Sequence, residues 1–241
     1  MNKSDKYTIS EHKEKLKFRI LRSAMPMFKQ KGIKAVRMDD IASHLSISKR
    51  TLYEIYANKE ILLLECIKLD CDDFTKRLQD YTMIAENELD IVITFFRMKF
   101  AELDSLSPLF IEELKKYEEV RAFFRKRHDE QRKSSDDFIK KCIEKGFFAP
   151  NINYSTVQDI CDEIMSFGIF GHLLDKYTLR EIFYNFFIVI LRGLCTEKGI
   201  VMLDLSNVQK ITSAEKLRSR AFDEIVPFRK FIIKDDTSAL L

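Results

Sequence analysis

Residues 38–59, MDDIASHLSISKRTLYEIYANK, hold two short amphipathic segments separated by a tight polar break. In the first, Met38, Ile41, Ala42 and Leu45 recur at i, i+3, i+4 and i+7, the spacing of one helical face. In the second, Leu52 and the pair Ile55/Tyr56 continue that spacing over fewer turns. Ser46-Ile47-Ser48 forms the break, and Ser48 can cap the second helix by accepting a bond from an orphan backbone N–H. Lys49, Arg50, Thr51 and Tyr53 follow directly, all long or hydrogen-bonding. Two helices meeting across a turn this short make a helix-turn-helix, and a second helix polar on its outer side is shaped for a DNA major groove.

Charge divides along the chain in the same sense. Residues 1–60 carry 14 Lys/Arg against 7 Asp/Glu, whereas the remaining 181 carry 27 against 31. A basic head on a mildly acidic body suits a module that touches polyanions joined to one that does not. Phenylalanine divides the other way: only Phe18 and Phe28 of the 20 fall in the first 60 residues. The Phe-rich body has a large core, a ring-lined cavity or an apolar interface, and the sequence does not separate these three.

With 6 Gly, 4 Pro and 33% charged residues, the chain reads as all-α. Residues 1–12 are expected to be flexible, and residues 13–58 to form a three-helix DNA-binding domain. Its first helix should run from Lys13 to Lys31, with Leu16, Ile20, Ala24 and Phe28 inward and Gly32 as the cap. Pro26 lies inside that helix; the unbroken apolar register through Met27 and Phe28 favours a kink over a break. Asn58 caps a connecting helix over 59–82, with Ile61, Leu64, Ile67 and Leu69 predicted to be buried. The body, residues 83–241, reads as a helical bundle for effector binding and dimerisation. Its helices are expected near 87–104, 107–117, 118–145, 154–173, 178–198 and 206–222, the fourth capped by Ser155. The helix Leu179–Cys195 is apolar over most of its circumference, which asks for a second buried face. A partner subunit meeting Phe183, Phe186, Phe187 and Ile190 supplies one; a central position in a single body is the other arrangement.

Enzymatic signatures are missing from the sequence: no G-x-S-x-G, Walker A, H-E-x-x-H or GxGxxG occurs. The four histidines (12, 44, 128, 172) are far apart, and His172 is expected to be a core residue. The five cysteines lack metal-ligand or C-x-x-C spacing and are read as buried thiols, so no metal and no cofactor is expected. The N-terminus lacks the apolar stretch of a signal peptide, and Ile182–Leu194 is shorter than the ~20 residues of a membrane span. A cytoplasmic protein without a membrane partner is the expectation.

The segment Lys15–Ile67 closely resembles the tetracycline-repressor (TetR) family of bacterial transcription regulators. The residues that carry the likeness are Lys31-Gly32, MDDIASHL and SISKRTLYEIYANKEIL. The body resembles the family only loosely. The resemblance implies a homodimeric regulator of double-stranded DNA, a repressor released by an effector. It puts Ser48, Lys49, Arg50 and Thr51 at base edges and flanking phosphates, and Tyr53 and Lys59 on phosphate oxygens. Arg37 stands where the family usually has a hydroxyl cap, and it makes sense there facing a phosphate. Ser46 replaces a common turn glycine and Ile55 a frequent histidine. Phe95, Phe96, Phe100, Phe110, Phe124, Met165 and Phe167 are the candidates to line the site of a small apolar or amphipathic effector. A filled body controlled by a protein partner is the alternative.

Overall fold

The computed structural model describes the backbone of residues 3–166, 173 and 176–214, and the side chains of residues 11–161, 173 and 176–205. Among the described residues every regular element is a helix: α1 Lys3–Lys31, α2 Met38–His44, α3 Lys49–Ile55, α4 Lys59–Thr82, α5 Glu88–Leu103, α6 Pro108–Leu114, α7 Glu118–Glu144, α8 Tyr154–Ser166, α9 Leu179–Leu194 and α10 Glu197–Ala214.

The ends of these helices are written locally. Asn58, Asn87 and Ser107 each accept a backbone N–H from three residues on, opening α4, α5 and α6. Pro108 fits the first turn of α6, where its missing N–H costs nothing. Thr178 and Glu181 form a reciprocal capping box at α9. Gly32 (φ +83°) and Gly146 (φ +73°) stop α1 and α7 in the left-handed region that glycine enters without strain.

Several expectations need correction. The segment expected to be flexible is helical from Lys3, since α1 extends ten residues upstream of Lys13. It also runs through Pro26, whose side chain is exposed. The buried face of α4 is Leu62, Leu63, Cys66 and Ile67; Ile61 is exposed, and Leu64 and Leu69 only half-buried. Asn153, not Ser155, caps α8, because its Oδ1 accepts from Thr156 N–H at 3.1 Å. Ser155 instead accepts from Arg132. The helix expected to run to residue 198 ends at Leu194, where Cys195 turns extended and pairs with Phe148 in an isolated bridge. Thr196 Oγ1 then accepts from Gly199 N–H and starts α10. The tail helix expected at 206–222 falls partly within α10, and its part beyond Ala214 lies outside the described residues, as does His172.

Two cores organise the molecule. The first joins Ile20, Ala24, Phe28, Ile33, Val36, Ile41, Leu52, Tyr56, Leu62 and Leu63. It does not stop at the connecting helix: Phe110 of α6 and Val120 of α7 belong to it. The second gathers Leu89, Ile93, Cys142, Phe147, Phe148, Leu191, Cys195 and Leu203. Helix α1 packs on α4 and α6, and α5 packs on α4, α7, α9 and α10, so α4 to α6 bridge the head and the body.

Candidate nucleic-acid interface

The second short helix is held from one side and open on the other. Leu52 is fully buried and Tyr56 is 6% exposed, so both anchor α3 to the head core. Tyr53, one residue on from Leu52, is 47% exposed. The two tyrosines therefore have different tasks: burial pushes the Tyr56 hydroxyl up to about 12, a ring kept neutral in the core. Ser48 caps α3 by accepting from Thr51 N–H at 3.0 Å, and its hydroxyl also meets Thr51 Oγ1 at 2.8 Å. The turn before it uses a left-handed Ser46 (φ +55°), a conformation that costs a residue with a Cβ about 1–2 kcal/mol. Ile47 N–H donating to Ala42 O at 3.0 Å closes that turn. Ile55, where the sequence lacks a histidine, is half-buried against the head core rather than open to solvent.

Unpaired cations at the start of α3 would oppose the helix dipole. The structure resolves the conflict internally. Lys49 forms an ion pair with Asp39 of α2, and Arg50 Nε donates to Glu54 Oε1 at 2.7 Å. Arg37 is exposed just ahead of α2, and its backbone N–H donates to Asp40 Oδ2 at 2.9 Å, a half capping box. The basic excess of the head lies elsewhere than in the two short helices. Residues 1–36 carry ten Lys/Arg against three Asp/Glu, while residues 37–60 carry four against four.

Lys59, expected on a phosphate, is set against the backbone of the head itself. Its ammonium donates to Ile33 O at 2.8 Å, Val36 O at 3.1 Å and Lys34 O at 3.4 Å. An ammonium has three donors, and here all three hold the loop between α1 and α2. The same loop is held from the body. Glu113 of α6, 5% exposed, accepts Lys34 N–H on Oε2 at 2.8 Å. Ser107 N–H donates to Lys29 O at 2.8 Å, and Lys29 pairs with Asp70 of α4. Arg22–Asp73 and Arg127–Asp72 extend this seam along α4. Sequence reasoning missed Asp39, Glu54 and Glu113. The i, i+4 spacing of Arg50 and Glu54 was a readable signal, whereas Glu113 meets Lys34 only through tertiary packing.

The aromatic candidates separate. Phe95, Phe96 and Phe100 of α5 stand in a run of ring contacts: Phe74–Phe95 at 5.6 Å, Phe95–Phe96 at 5.3 Å, Phe96–Phe187 at 5.1 Å and Phe100–Tyr184 at 5.6 Å. Phe110 lies instead in the head core at 3% exposure, because α6 turns back onto α1, and Phe124 is exposed on α7. The side chains of Met165 and Phe167 lie outside the described residues. Two cavities adjoin the head: an open cleft of about 600 Å³ lined by Arg19, Arg22, Ser23 and His44 to Ser46, and one of about 210 Å³ at Met25, Pro26, Asp70 and Ser105. Neither is lined by the aromatic candidates.

On α9, Phe183, Phe186, Phe187 and Ile190 are half-buried, and Val189 beside them is 70% exposed. Cys66, Cys142 and Cys195 are buried thiols whose pKa burial raises; Cys71 and Cys161, expected to be buried, are only half-buried. No helix among the described residues is long and apolar enough to cross a membrane.

Comparison with known proteins finds likenesses for this geometry. Residues 20–66 match the profile of the bacterial regulatory proteins of the tetR family, a span from mid-α1 through α3 into α4. The HTH-type transcriptional repressor KstR2 of Mycobacterium tuberculosis is 25% identical over 143 residues, covering 57% of this chain and 72% of the relative. Its counterpart in Mycolicibacterium smegmatis is also 25% identical, over 57% and 70% of the two chains. The fold is that of the TetR-family regulator from Cytophaga hutchinsonii, with a TM-score of 0.59 at 15% identity over 77% of this chain and 98% of that one. It is equally that of a TetR-family regulator from Marinobacter aquaeolei, with a TM-score of 0.57 at 19% identity over 78% and 96%. A capped helix-turn-helix, a helical body and these likenesses together support a DNA-binding transcription regulator similar to those of the tetR family.

Proposed function

We propose that the chain is a cytoplasmic, ligand-responsive repressor that acts as a homodimer on a palindromic operator. The observation that carries this reading is the two-sidedness of α3: Leu52 and Tyr56 fix it in the core while Ser48, Arg50 and Tyr53 stay exposed. In this reading residues 13–58 bind DNA, 59–82 connect, and 83–241 hold the effector and the dimer seam. Ser48, Lys49, Arg50 and Thr51 lie toward base edges, and Arg37 and Tyr53 toward phosphates. Lys59 acts through the loop it holds. Two copies of α3 would enter successive major grooves about 34–36 Å apart. The outward side of α9, with Phe186, Val189 and Ile190, is the face that a second copy covers. The ring run around Phe96, Phe100 and Phe187 suits a small apolar or amphipathic effector. Glu113 then couples body to head, because a shift of α6 would pull on the loop before Arg37. The relatives named as repressors support the sign of regulation.

The test is binding of the purified protein to its own upstream DNA, with a panel of cell metabolites added. Release by one of them is the expected result; DNA binding that no metabolite disturbs favours control by a protein partner instead. In the same assay Tyr53→Phe should weaken binding to all sequences alike. A loss confined to one base position would contradict its phosphate role.

A further inference from the structure

We infer that Glu54 is a specificity-determining residue of the DNA-reading surface, acting by holding Arg50 in the pose that forks onto a guanine. The inference rests on the reading of α3 as the helix that meets the base edges. Positions 50 and 54 lie one turn apart on the same side of α3, and Arg50 Nε donates to Glu54 Oε1 at 2.7 Å. Helix stability does not explain the pair. Its side chains are 88% and 59% exposed, a setting in which an ion pair contributes little. The acid also follows the base along the helix, the less favourable order. A carboxylate on a surface that faces a polyanion weakens non-specific attraction as well.

What the carboxylate does supply is orientation. A guanidinium carries five N–H donors in a rigid plane. With Nε–H committed to Glu54, the edge formed by Nη1 and Nη2 remains, and such a pair of donors spans guanine O6 and N7. An unheld arginine at this exposure is free to swing to the nearest phosphate, whereas the held one is pre-organised for a base edge. The second oxygen of Glu54 remains an acceptor that a neighbouring cytosine N4 amine can satisfy.

Lys49, paired with Asp39 across the turn, repeats the arrangement one residue earlier. The two pairs leave residues 37–56 with three Lys/Arg against three Asp/Glu. This surface is therefore neutral overall, and a wrong base leaves the donors of Arg50 and the acceptor of Glu54 without partners. Discrimination of this kind penalises mismatches rather than strengthening every contact.

The experiment is selection from a randomised duplex pool by the full-length protein and its variants. The wild type is expected to enrich a motif with a guanine at one position of each half-site. Glu54→Ala should keep the rest of the motif, lower the preference for that guanine about tenfold, and bind random duplex more tightly. Arg50→Ala should lose the same preference, and adding Glu54→Ala to it should change that position no further. Thermal unfolding of the variants should match the wild type, since the pair is exposed. Wild-type base preference at every position in Glu54→Ala overturns the inference and leaves the reading of α3 standing. A wild type that enriches no motif overturns both.

Discussion

The head and the body use similar helices for opposite purposes. In the head, Phe28, Ile33, Ile41, Leu52, Leu62 and Leu63 are wholly excluded from water, two short helices being clasped between α1 and α4. In the body, Phe96, Phe100, Phe183 and Phe187 touch one another stacked or tilted, yet remain half-buried. A close-packed interior fixes one arrangement, since each lost methylene is felt. Rings that are only half-enclosed keep surface for something else to cover. The head core is thus closed on itself, while these rings of the body keep accessible surface.

The sharpest way to break that contrast is to delete one ring from each. Phe28→Ala should destabilise the protein by about 3–5 kcal/mol in denaturant unfolding, and Phe96→Ala by clearly less. Equal losses would mean that the body is packed like the head. A smaller effect probes the seam between them. Gly32→Ala and Gly146→Ala each put a Cβ on a left-handed residue at a cost of about 1–2 kcal/mol. At Gly32 the new carbon would also lie 2.9 Å from the Leu109 side chain, while at Gly146 nothing lies within 4 Å. Gly32→Ala should therefore cost more, and it alone should alter DNA binding, because it pushes α6 off the loop that Glu113 and Lys59 hold.

The third prediction uses pH. Tyr56 has its pKa raised from 10 to about 12 chiefly by burial, with Cys66 and nearby carboxylates adding to it. A raised pKa means that its contribution to folding is complete below pH 10 and is lost as the pH climbs toward 12. Unfolding at pH 8 and pH 11 should show a loss in the wild type that Tyr56→Phe reduces. The smallest effect should come from Ser46→Gly. It relieves the left-handed serine and should stabilise the head by up to about 1 kcal/mol. A destabilised variant would show that the Ser46 side chain holds the turn.

Much of the head was legible because its signals are local. Ser48 and Asn58 cap helices that begin one residue later, Gly32 stops α1, and Ile20, Ala24 and Phe28 keep one face. Where two signals competed, the sequence misled. Asn153 and Ser155 can both cap a helix, and only the backbone conformation chose Asn153. The buried face of α4 was misjudged because an apolar run of Ile61 to Leu64 allows several faces, and its neighbours on α1 selected Leu62 and Leu63. Lys59 reads from the sequence as a phosphate-binding cation at a helix start. Its partners are carbonyls more than twenty residues upstream, which no local pattern reveals.

By itself the sequence determined an all-helical chain, a capped helix-turn-helix with its outward residues, and a head more basic than its body. These follow from periodicity, caps and charge, all set within a few residues. Only the tertiary structure decided that Phe110 serves the head core, that Glu113 ties α6 to the loop before α2, and that Lys49 of α3 is paired with Asp39 of α2. Each is a choice among partners of similar chemistry, made by which surfaces the folded chain brings together.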